Sequence, residues 1–166
     1  LNPENSSVLY NKAIVYVNTE NFQKGIDTFT EFLKFEPDNV FALVGIAEAL
    51  LAMDNLTEAA RYYQEALTLE KGNQEANSGL ALISMLNHDH YSALVYLRRV
   101  IGSESVDYNF LSGQLLIEFK RTLLPEFLVY YLVALYYTHS MDSFVANLEI
   151  LLTMDELWLK KLYELV

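Results

Sequence analysis

Cysteine is absent from this chain, and glycine, proline and basic residues are scarce. With no cysteine in 166 residues, disulfide bonds, thiolate metal ligands and a cysteine nucleophile are excluded. Three prolines and six glycines are too few for a collagen-like or linker-like chain. The 11 lysines and arginines are outnumbered by 22 aspartates and glutamates, which gives a net charge of −11. Because this negative field repels phosphate groups, we expect no nucleic-acid partner.

Long apolar runs are also missing, although the chain as a whole is apolar. The richest apolar segment is Phe127–Tyr137, which is shorter than the roughly 20 residues that a membrane-spanning helix needs. We therefore expect a buried helix here and no transmembrane segment. The compartment stays open: a soluble cytoplasmic protein is the default, and a periplasmic or secreted protein is the alternative.

Hydrophobic residues make up 52% of the sequence. A chain with this much apolar surface can offset the entropy lost on folding by burying side chains. The composition therefore indicates a compact folded protein and not a disordered acidic tail.

The sequence repeats itself at intervals of 34 residues. Asparagine recurs as Asn5, Asn39 and Asn73, and Pro3 and Pro37 keep the same interval. Between these positions each interval holds two apolar segments separated by a polar turn, which predicts a pair of antiparallel helices. Because either helix alone would expose its apolar face, neighbouring pairs must stack.

Small residues followed by large ones mark the predicted helix pairs. The first helix of each pair has Ala13, Ala47 or Ala81. The second helix has Gly25, Ala59 or Ala93, followed four residues later by Phe29, Tyr63 or Leu97. Two helices approach closely where small side chains meet, and the large residue one turn later fills the next gap.

These positions resemble the tetratricopeptide repeat family. The family pattern of the first repeat stands as Ala13, Tyr16, Gly25, Phe29 and Pro37. The second repeat has Ala47, Leu50, Ala59, Tyr63 and Ala66, and the third is more degenerate, with Asn77, Ser84 and Val100. The resemblance implies an all-α fold, a right-handed superhelical solenoid of antiparallel helix pairs with a degenerate C-terminal part.

The repeat phase predicts a division of the chain into segments. Residues 1–5 are either the tail of a preceding repeat, in a chain cut from a longer array, or a leader. The predicted repeats span residues 6–39, 40–73 and 74–107, and the phase then breaks. We expect an extra helix over residues 108–126 with the apolar stripe Leu111, Leu115 and Phe119, a degenerate fourth repeat over residues 127–153 marked by Ala134, Tyr137 and Ala146, and a capping helix over residues 154–166. The alternative to the fourth repeat is a chance alignment of two alanines.

Few residues suit catalysis or metal binding. The one cluster of interest is His88, Asp89 and His90, which falls in a predicted turn. Two histidines and a carboxylate are zinc ligands, but a structural site needs about four ligands and the sequence offers no matching partner. We expect a solvated turn here, with no metal and no cofactor. Since no nucleophile and base stand in a catalytic order, we expect the chain not to be an enzyme.

The family resemblance implies a binding groove instead. In tetratricopeptide repeat arrays the first helix of each repeat lines a concave groove where peptides or partner helices dock. Carried over to this sequence, the groove residues are Tyr10, Ile14, Val17 and Asn18 from the first repeat, Phe41, Val44, Glu48 and Leu51 from the second, and Glu75, Ser78, Leu82 and Met85 from the third. Their mostly apolar character predicts that a partner helix or apolar segment docks there, with Tyr10, Phe41 and Met85 as anchors.

One well-known binding mode of the family does not fit. The clamp that holds the C-terminal carboxylate of heat-shock chaperones uses lysine, asparagine and arginine side chains. The corresponding positions here are Tyr10, Ile14, Gly45, Glu75 and Gly79. None of these side chains binds a carboxylate, and Glu75 repels one.

Two functions remain open from the sequence. The first is a non-catalytic scaffold, adaptor or chaperone-like module that binds a protein partner in the groove. The second is a structural or regulatory segment of a larger protein that packs on its own chain or self-associates, so that the groove is filled from within. A weaker third reading, the regulatory part of a multidomain enzyme, requires a catalytic domain outside these residues.

Overall fold

The computed structural model describes residues 3–100, 108–138, 140, 143–144, 147–148, 151, 161–162 and 164. The described elements are all helices: α1 (Pro3–Asn18), α2 (Phe22–Leu33), α3 (Val40–Ala52), α4 (Leu56–Leu69), α5 (Gln74–Leu86), α6 (His90–Val100), α7 (Tyr108–Thr122) and α8 (Pro125–Tyr137). The chain forms two compact units, an N-terminal unit (Leu1–Ile83) and a C-terminal unit (Ser84–Val166).

In the N-terminal unit the helices pack in the order in which they follow one another. Helix α1 packs on α2, α2 on α3, and α3 on α4, and α1 also contacts α3. Each pair therefore lies against the next pair, which buries the apolar faces that a single amphipathic helix would expose. The prediction of an all-α helical repeat fold is confirmed.

Helix boundaries recur at the interval of 34 residues. The second helices of the three pairs begin at Phe22, Leu56 and His90, and the first helices end at Asn18, Ala52 and Leu86. The turn that joins them contains a residue in the left-handed conformation, with φ near +60° at Glu20, Asp54 and His88. Since L-amino acids adopt this conformation at a cost, each turn holds a local strain that the flanking helices stabilise.

Two of the recurring asparagines, Asn39 and Asn73, are helix caps. The side-chain oxygens of Asn39 and Asn73 accept hydrogen bonds from the backbone N–H three residues later, at 3.1 and 2.9 Å. Their amide groups also donate to the carboxylates of Glu36 and Glu70. These bonds satisfy N–H groups that have no partner inside the helix, which fixes where α3 and α5 begin.

Helix α1 begins earlier than the sequence pattern suggested. Three of the residues predicted to be a repeat tail or leader, Pro3 to Asn5, belong to the helix. Proline is compatible with the first helical turn because the N–H that it lacks has no helical acceptor there.

Small residues sit where the helices approach most closely. The alanines predicted at these points are fully buried: Ala13, Ala47, Ala59, Ala81 and Ala93. Phe29 of α2 reaches across to Gly45 of α3, and a Cβ on that glycine would stand 2.7 Å from the ring. Tyr63 of α4 makes the same approach to Gly79 of α5. Each large residue therefore packs against a glycine of the following pair.

The C-terminal unit contains a helix that is apolar all round. Helix α8 packs on α7 and also contacts α6. Its residues 127–135 are all buried, as expected for this apolar run, whereas Tyr136 and Tyr137 at its end are exposed. Within the described residues, no helix has the length and apolar character needed to cross a membrane.

The apolar stripe of α7 faces the interior, with Leu111, Leu115 and Phe119 buried. In the predicted fourth repeat, Ala134 is buried and Tyr137 is exposed. Ala146 and nearly all of the predicted capping helix, residues 154–166, lie outside the described residues.

Candidate binding groove

A pocket of about 250 Å³ lies in the N-terminal unit. Side chains of α1 and α3 form most of its wall, with contributions from α2 and from the start of α5. The pocket is lined by Tyr10, Ile14, Val17, Asn18, Phe29, Phe41, Val44, Gly45, Glu48, Asn73 and Glu75. Every one of these residues belongs to the N-terminal unit.

A second pocket of about 370 Å³ adjoins the first. It is lined by Ser7, Tyr10, Asn11, Phe32, Glu36, Asn39 and Phe41. Tyr10 and Phe41 line both pockets, so the two form one continuous surface, which we call the groove. A groove with aromatic side chains at its middle has the shape and chemistry that suit an extended segment or a helix.

The structure brings eight of the twelve predicted groove residues together in the first pocket. They are Tyr10, Ile14, Val17, Asn18, Phe41, Val44, Glu48 and Glu75. The other four, Leu51, Ser78, Leu82 and Met85, line neither pocket.

Met85 is not accessible as an anchor, because only 2% of it is exposed. It follows the fully buried Ala81 by four residues in α5, and residues spaced by four lie on the same face of a helix. Its side chain is therefore part of the core. A test of groove binding has to rest on other residues.

The sequence prediction missed three residues that line the first pocket, Phe29, Gly45 and Asn73. It also missed five that line only the second: Ser7, Asn11, Phe32, Glu36 and Asn39. Phe29 belongs to a second helix, but the absence of a side chain at Gly45 lets its ring reach the groove. Its signal in the sequence is the interval of 34 residues, which relates Phe29 to Tyr63 and Gly45 to Gly79.

The ring of Tyr10 contacts two phenylalanine rings of α2. Its ring centroid lies 5.7 Å from that of Phe29 in an edge-on arrangement and 5.3 Å from that of Phe32. Both phenylalanines are buried. Phe41, by contrast, is 66% exposed, although it stands beside Tyr10 in the groove. The groove thus joins a fixed aromatic side chain to one that projects into solvent.

The charge of the groove is negative. Glu48 and Glu75 line the first pocket and Glu36 lines the second, whereas no lysine or arginine is found among the residues that line either one. Enclosure by the pocket walls, and then the charge of Glu75, raises the pKa of Glu48 above its ordinary value. The Glu48 side chain is nevertheless exposed to solvent.

The Glu48 carboxylate acts on two tyrosines. Burial, and then the charge of Glu48, raises the pKa of Tyr10 and of Tyr63. Tyr10 lines the groove, whereas Tyr63 is buried and lines neither pocket.

The histidine cluster of the C-terminal unit has structural roles. Asp89 caps α6 by accepting a hydrogen bond from the Ser92 backbone N–H at 3.1 Å. The His90 ring lies 3.5 Å from Glu118, which also pairs with Arg121. Among the described residues, no three histidine, aspartate or glutamate side chains are arranged to hold a metal ion.

Comparison with known proteins identifies the repeats. Residues 6–39 and 42–73 match the family model described as tetratricopeptide repeat. The N-terminal part of the chain therefore contains two tetratricopeptide repeats. Both matched repeats contribute to the groove of this protein, Tyr10 and Phe29 from the first and Val44 and Glu48 from the second.

Solved structures share the fold of this chain. A crystal structure of MamA has a TM-score of 0.70 and 18% identity, and the match covers 86% of this chain and 83% of that one. The first tetratricopeptide repeat domain of Spaghetti (RPAP3), bound to the HSP90 peptide SRMEEVD, has a TM-score of 0.63 and 18% identity over 74% of this chain and 98% of that one. MamA from Desulfovibrio magneticus RS-1 has a TM-score of 0.59 and 9% identity over 90% and 94%.

Proposed function

We propose that this protein is a non-catalytic interaction module, and that its groove binds a segment of a partner protein. The observation that carries the proposal is the position of Phe41, an exposed aromatic side chain in the middle of a concave, mostly apolar surface. Removing such a side chain from water favours binding by about 2 kcal/mol. Exposed aromatic residues flanked by a pocket are the usual anchors of protein interfaces.

The immediate surroundings of Phe41 favour an extended or helical ligand over a small molecule. The groove runs through two pockets, and Tyr10 is fixed at their junction by Phe29 and Phe32. A prearranged aromatic wall limits the entropy lost on binding. The structure of Spaghetti (RPAP3) with a bound peptide supports the same kind of ligand for this fold.

The side chains of the groove support a non-catalytic role. Its titratable residues are one tyrosine, Tyr10, and three glutamates, Glu36, Glu48 and Glu75, and none of the lining residues is a histidine. Acid–base or nucleophilic catalysis needs a nucleophile with a base in hydrogen-bond reach, and the lining residues hold no such pair.

Selection from a random dodecapeptide library displayed on phage tests the proposal. Peptides enriched on the protein are synthesised, and their affinities are measured by fluorescence anisotropy for the unchanged protein and for Phe41→Asp. We expect Phe41→Asp to weaken binding at least tenfold, because it removes the anchor and places a charge at the contact. Tyr91→Asp is the matched control, since Tyr91 is 80% exposed and lies in the C-terminal unit.

Two results would contradict the proposal. One is a selection that enriches no peptide, and the other is a set of peptides whose affinities do not change with Phe41→Asp. Light scattering at rising protein concentration addresses the second function left open by the sequence. A dimer that dissociates in Phe41→Asp would make a second copy of the chain the occupant, and the proposal of a separate partner would fail.

A further inference from the structure

From the charge and the walls of the groove, we infer that its ligand is a segment with a lysine or arginine next to an apolar side chain. The apolar side chain packs on Phe41 and Tyr10, and the cation binds at Glu48 and Glu75. This inference rests on the proposed function and adds the chemistry of the partner to it.

Both parts of such a ligand meet complementary groups in one pocket. Glu48 comes from the middle of α3, and Glu75 comes from the first turn of α5. Ile14 and Val44 line the same pocket between aromatic and acidic side chains. A charge interaction next to apolar walls is stronger than one in open solvent, because less water screens it.

The two carboxylates are not neutralised by the protein. Over the described part of the chain, neither Glu48 nor Glu75 forms an ion pair, whereas Glu58, Glu65 and Glu118 do. The pKa of Glu48 is raised because its surroundings are the walls of the pocket and the like charge of Glu75. A ligand cation would relieve both effects, which gives it an advantage over a neutral group of the same size.

The acidic groove also indicates which ligands it rejects. The peptide bound in the Spaghetti (RPAP3) structure, SRMEEVD, contains three acidic residues and one arginine. Placed near Glu48 and Glu75, an acidic segment would bring like charges together, which costs several kcal/mol at an interface. The same fold would therefore bind peptides of opposite charge in the two proteins.

The test uses the peptides enriched in the phage selection. We expect them to contain lysine or arginine beside an aromatic or aliphatic residue, and the peptide SRMEEVD to bind at least tenfold more weakly. Replacing the peptide's basic residue by glutamine should weaken binding about tenfold, which is the size of one charge-assisted hydrogen bond. With the double variant Glu48→Gln/Glu75→Gln, the same peptide change should alter the affinity less than twofold.

Two variants separate a specific contact from general attraction to an acidic protein. Glu31→Gln removes one charge from an exposed position on α2 outside the groove, and we expect it to leave the affinities unchanged. Phe41→Asp adds a negative charge to the groove, so general attraction predicts tighter binding of a basic peptide, whereas the anchor predicts weaker binding.

The results distinguish this inference from the proposed function. Enrichment of neutral or acidic peptides that still depend on Phe41 would overturn the inference and leave the groove as a binding site. The inference would also be overturned if replacing the basic residue of a peptide by glutamine weakened binding to the double variant as much as it weakened binding to the unchanged protein. Peptides that ignore Phe41→Asp would contradict the proposed function itself.

Discussion

The ring of Tyr63 lies against the backbone of Gly79, so closely that a Cβ atom on the glycine would overlap it. Tyr63 is 2% exposed, so its ring lies in the core, where side chains are closely packed. Phe29 and Gly45 form the same contact one repeat earlier. The two contacts show what joins successive helix pairs: an aromatic ring and the glycine that makes room for it.

Gly79→Ala should therefore destabilise the protein. In an open helix the change from glycine to alanine stabilises by about 1 kcal/mol, but overpacking a core costs about 1–3 kcal/mol. Because the Tyr63 ring is buried in the core, we expect the cost of overpacking to be larger than the gain in helix propensity. Urea unfolding followed by circular dichroism measures the difference, and a variant more stable than the unchanged protein would contradict the described contact.

Gly113→Ala is the opposite case. Gly113 lies inside α7 (Tyr108–Thr122), and a Cβ on it would meet nothing within 4 Å. The remaining effect is the higher helix propensity of alanine than of glycine. This variant should therefore raise the free energy of unfolding by about 0.5–1 kcal/mol. The same urea experiment serves both glycines, and destabilisation by this substitution would show that α7 is not a regular helix at this point.

Asp54→Gly should stabilise the turn between α3 and α4. Asp54 has a φ of 61°, a conformation that costs an L-amino acid about 1–2 kcal/mol and costs glycine little. After the larger entropy of glycine in the unfolded chain is subtracted, we expect a gain of about 0.5–1 kcal/mol. Gln64→Gly in the exposed face of α4 is the control and should lose about 0.5 kcal/mol in the same thermal or urea melt.

Asn73→Ala should destabilise more than Asn21→Ala. Asn73 is buried, and its side chain accepts the hydrogen bond that caps α5 at 2.9 Å. Asn21 precedes α2 but makes no side-chain cap bond. A lost cap costs about 1–2 kcal/mol, so the free energy of unfolding should fall by that amount for Asn73→Ala and by less than half of it for Asn21→Ala. Equal losses would contradict the capping role.

Glu48→Gln should stabilise the protein at neutral pH. Burial first, and then the charge of Glu75 from α5, raises the pKa of Glu48. Since the folded protein raises the pKa of Glu48 above 4.5, its charged form is disfavoured on folding. The penalty is absent below the unfolded pKa, grows as the pH rises between the two pKa values, and is complete above the folded pKa.

The measurement compares free energies of unfolding at pH 7 and below about pH 4. We expect Glu48→Gln to be more stable than the unchanged protein at the higher pH and equal to it at the lower pH. Glu31→Gln, which removes a carboxylate on α2 outside the groove, is the matched control. A stabilisation by Glu48→Gln that persists at low pH would have another cause than the charge.

The sequence predicted the repeat fold because its main signal is periodic. The interval between Asn39 and Asn73 reflects a backbone need, the capping of α3 and α5, which any chain folding into equivalent helix pairs must meet. Groove positions such as Tyr10 and Phe41 were carried over from the resemblance to the repeat family, in the register that this interval sets. The interval and the resemblance together therefore account for eight of the eleven residues that line the first pocket.

Other features depend on distances that no periodic pattern contains. Met85 is apolar like the predicted groove residues, but it is buried in the core because it lies on the same face of α5 as Ala81. Phe29 joins the groove only because Gly45, in another helix, leaves space for its ring. The pKa of Glu48 depends likewise on a residue of a different helix, Glu75. Such relationships arise when the helices pack, so the sequence pattern alone did not predict them.

The ring-and-glycine contact has a consequence for how this protein can change length. Residues 40–73 carry Gly45, which receives a ring from the preceding repeat, and Tyr63, which offers a ring to the following one. A duplicated copy of this segment would bring its own matching contact at the new junction, and its deletion would leave Phe29 facing Gly79. Duplication or deletion of this segment would thus lengthen or shorten the array by one repeat without requiring a new kind of contact between repeats.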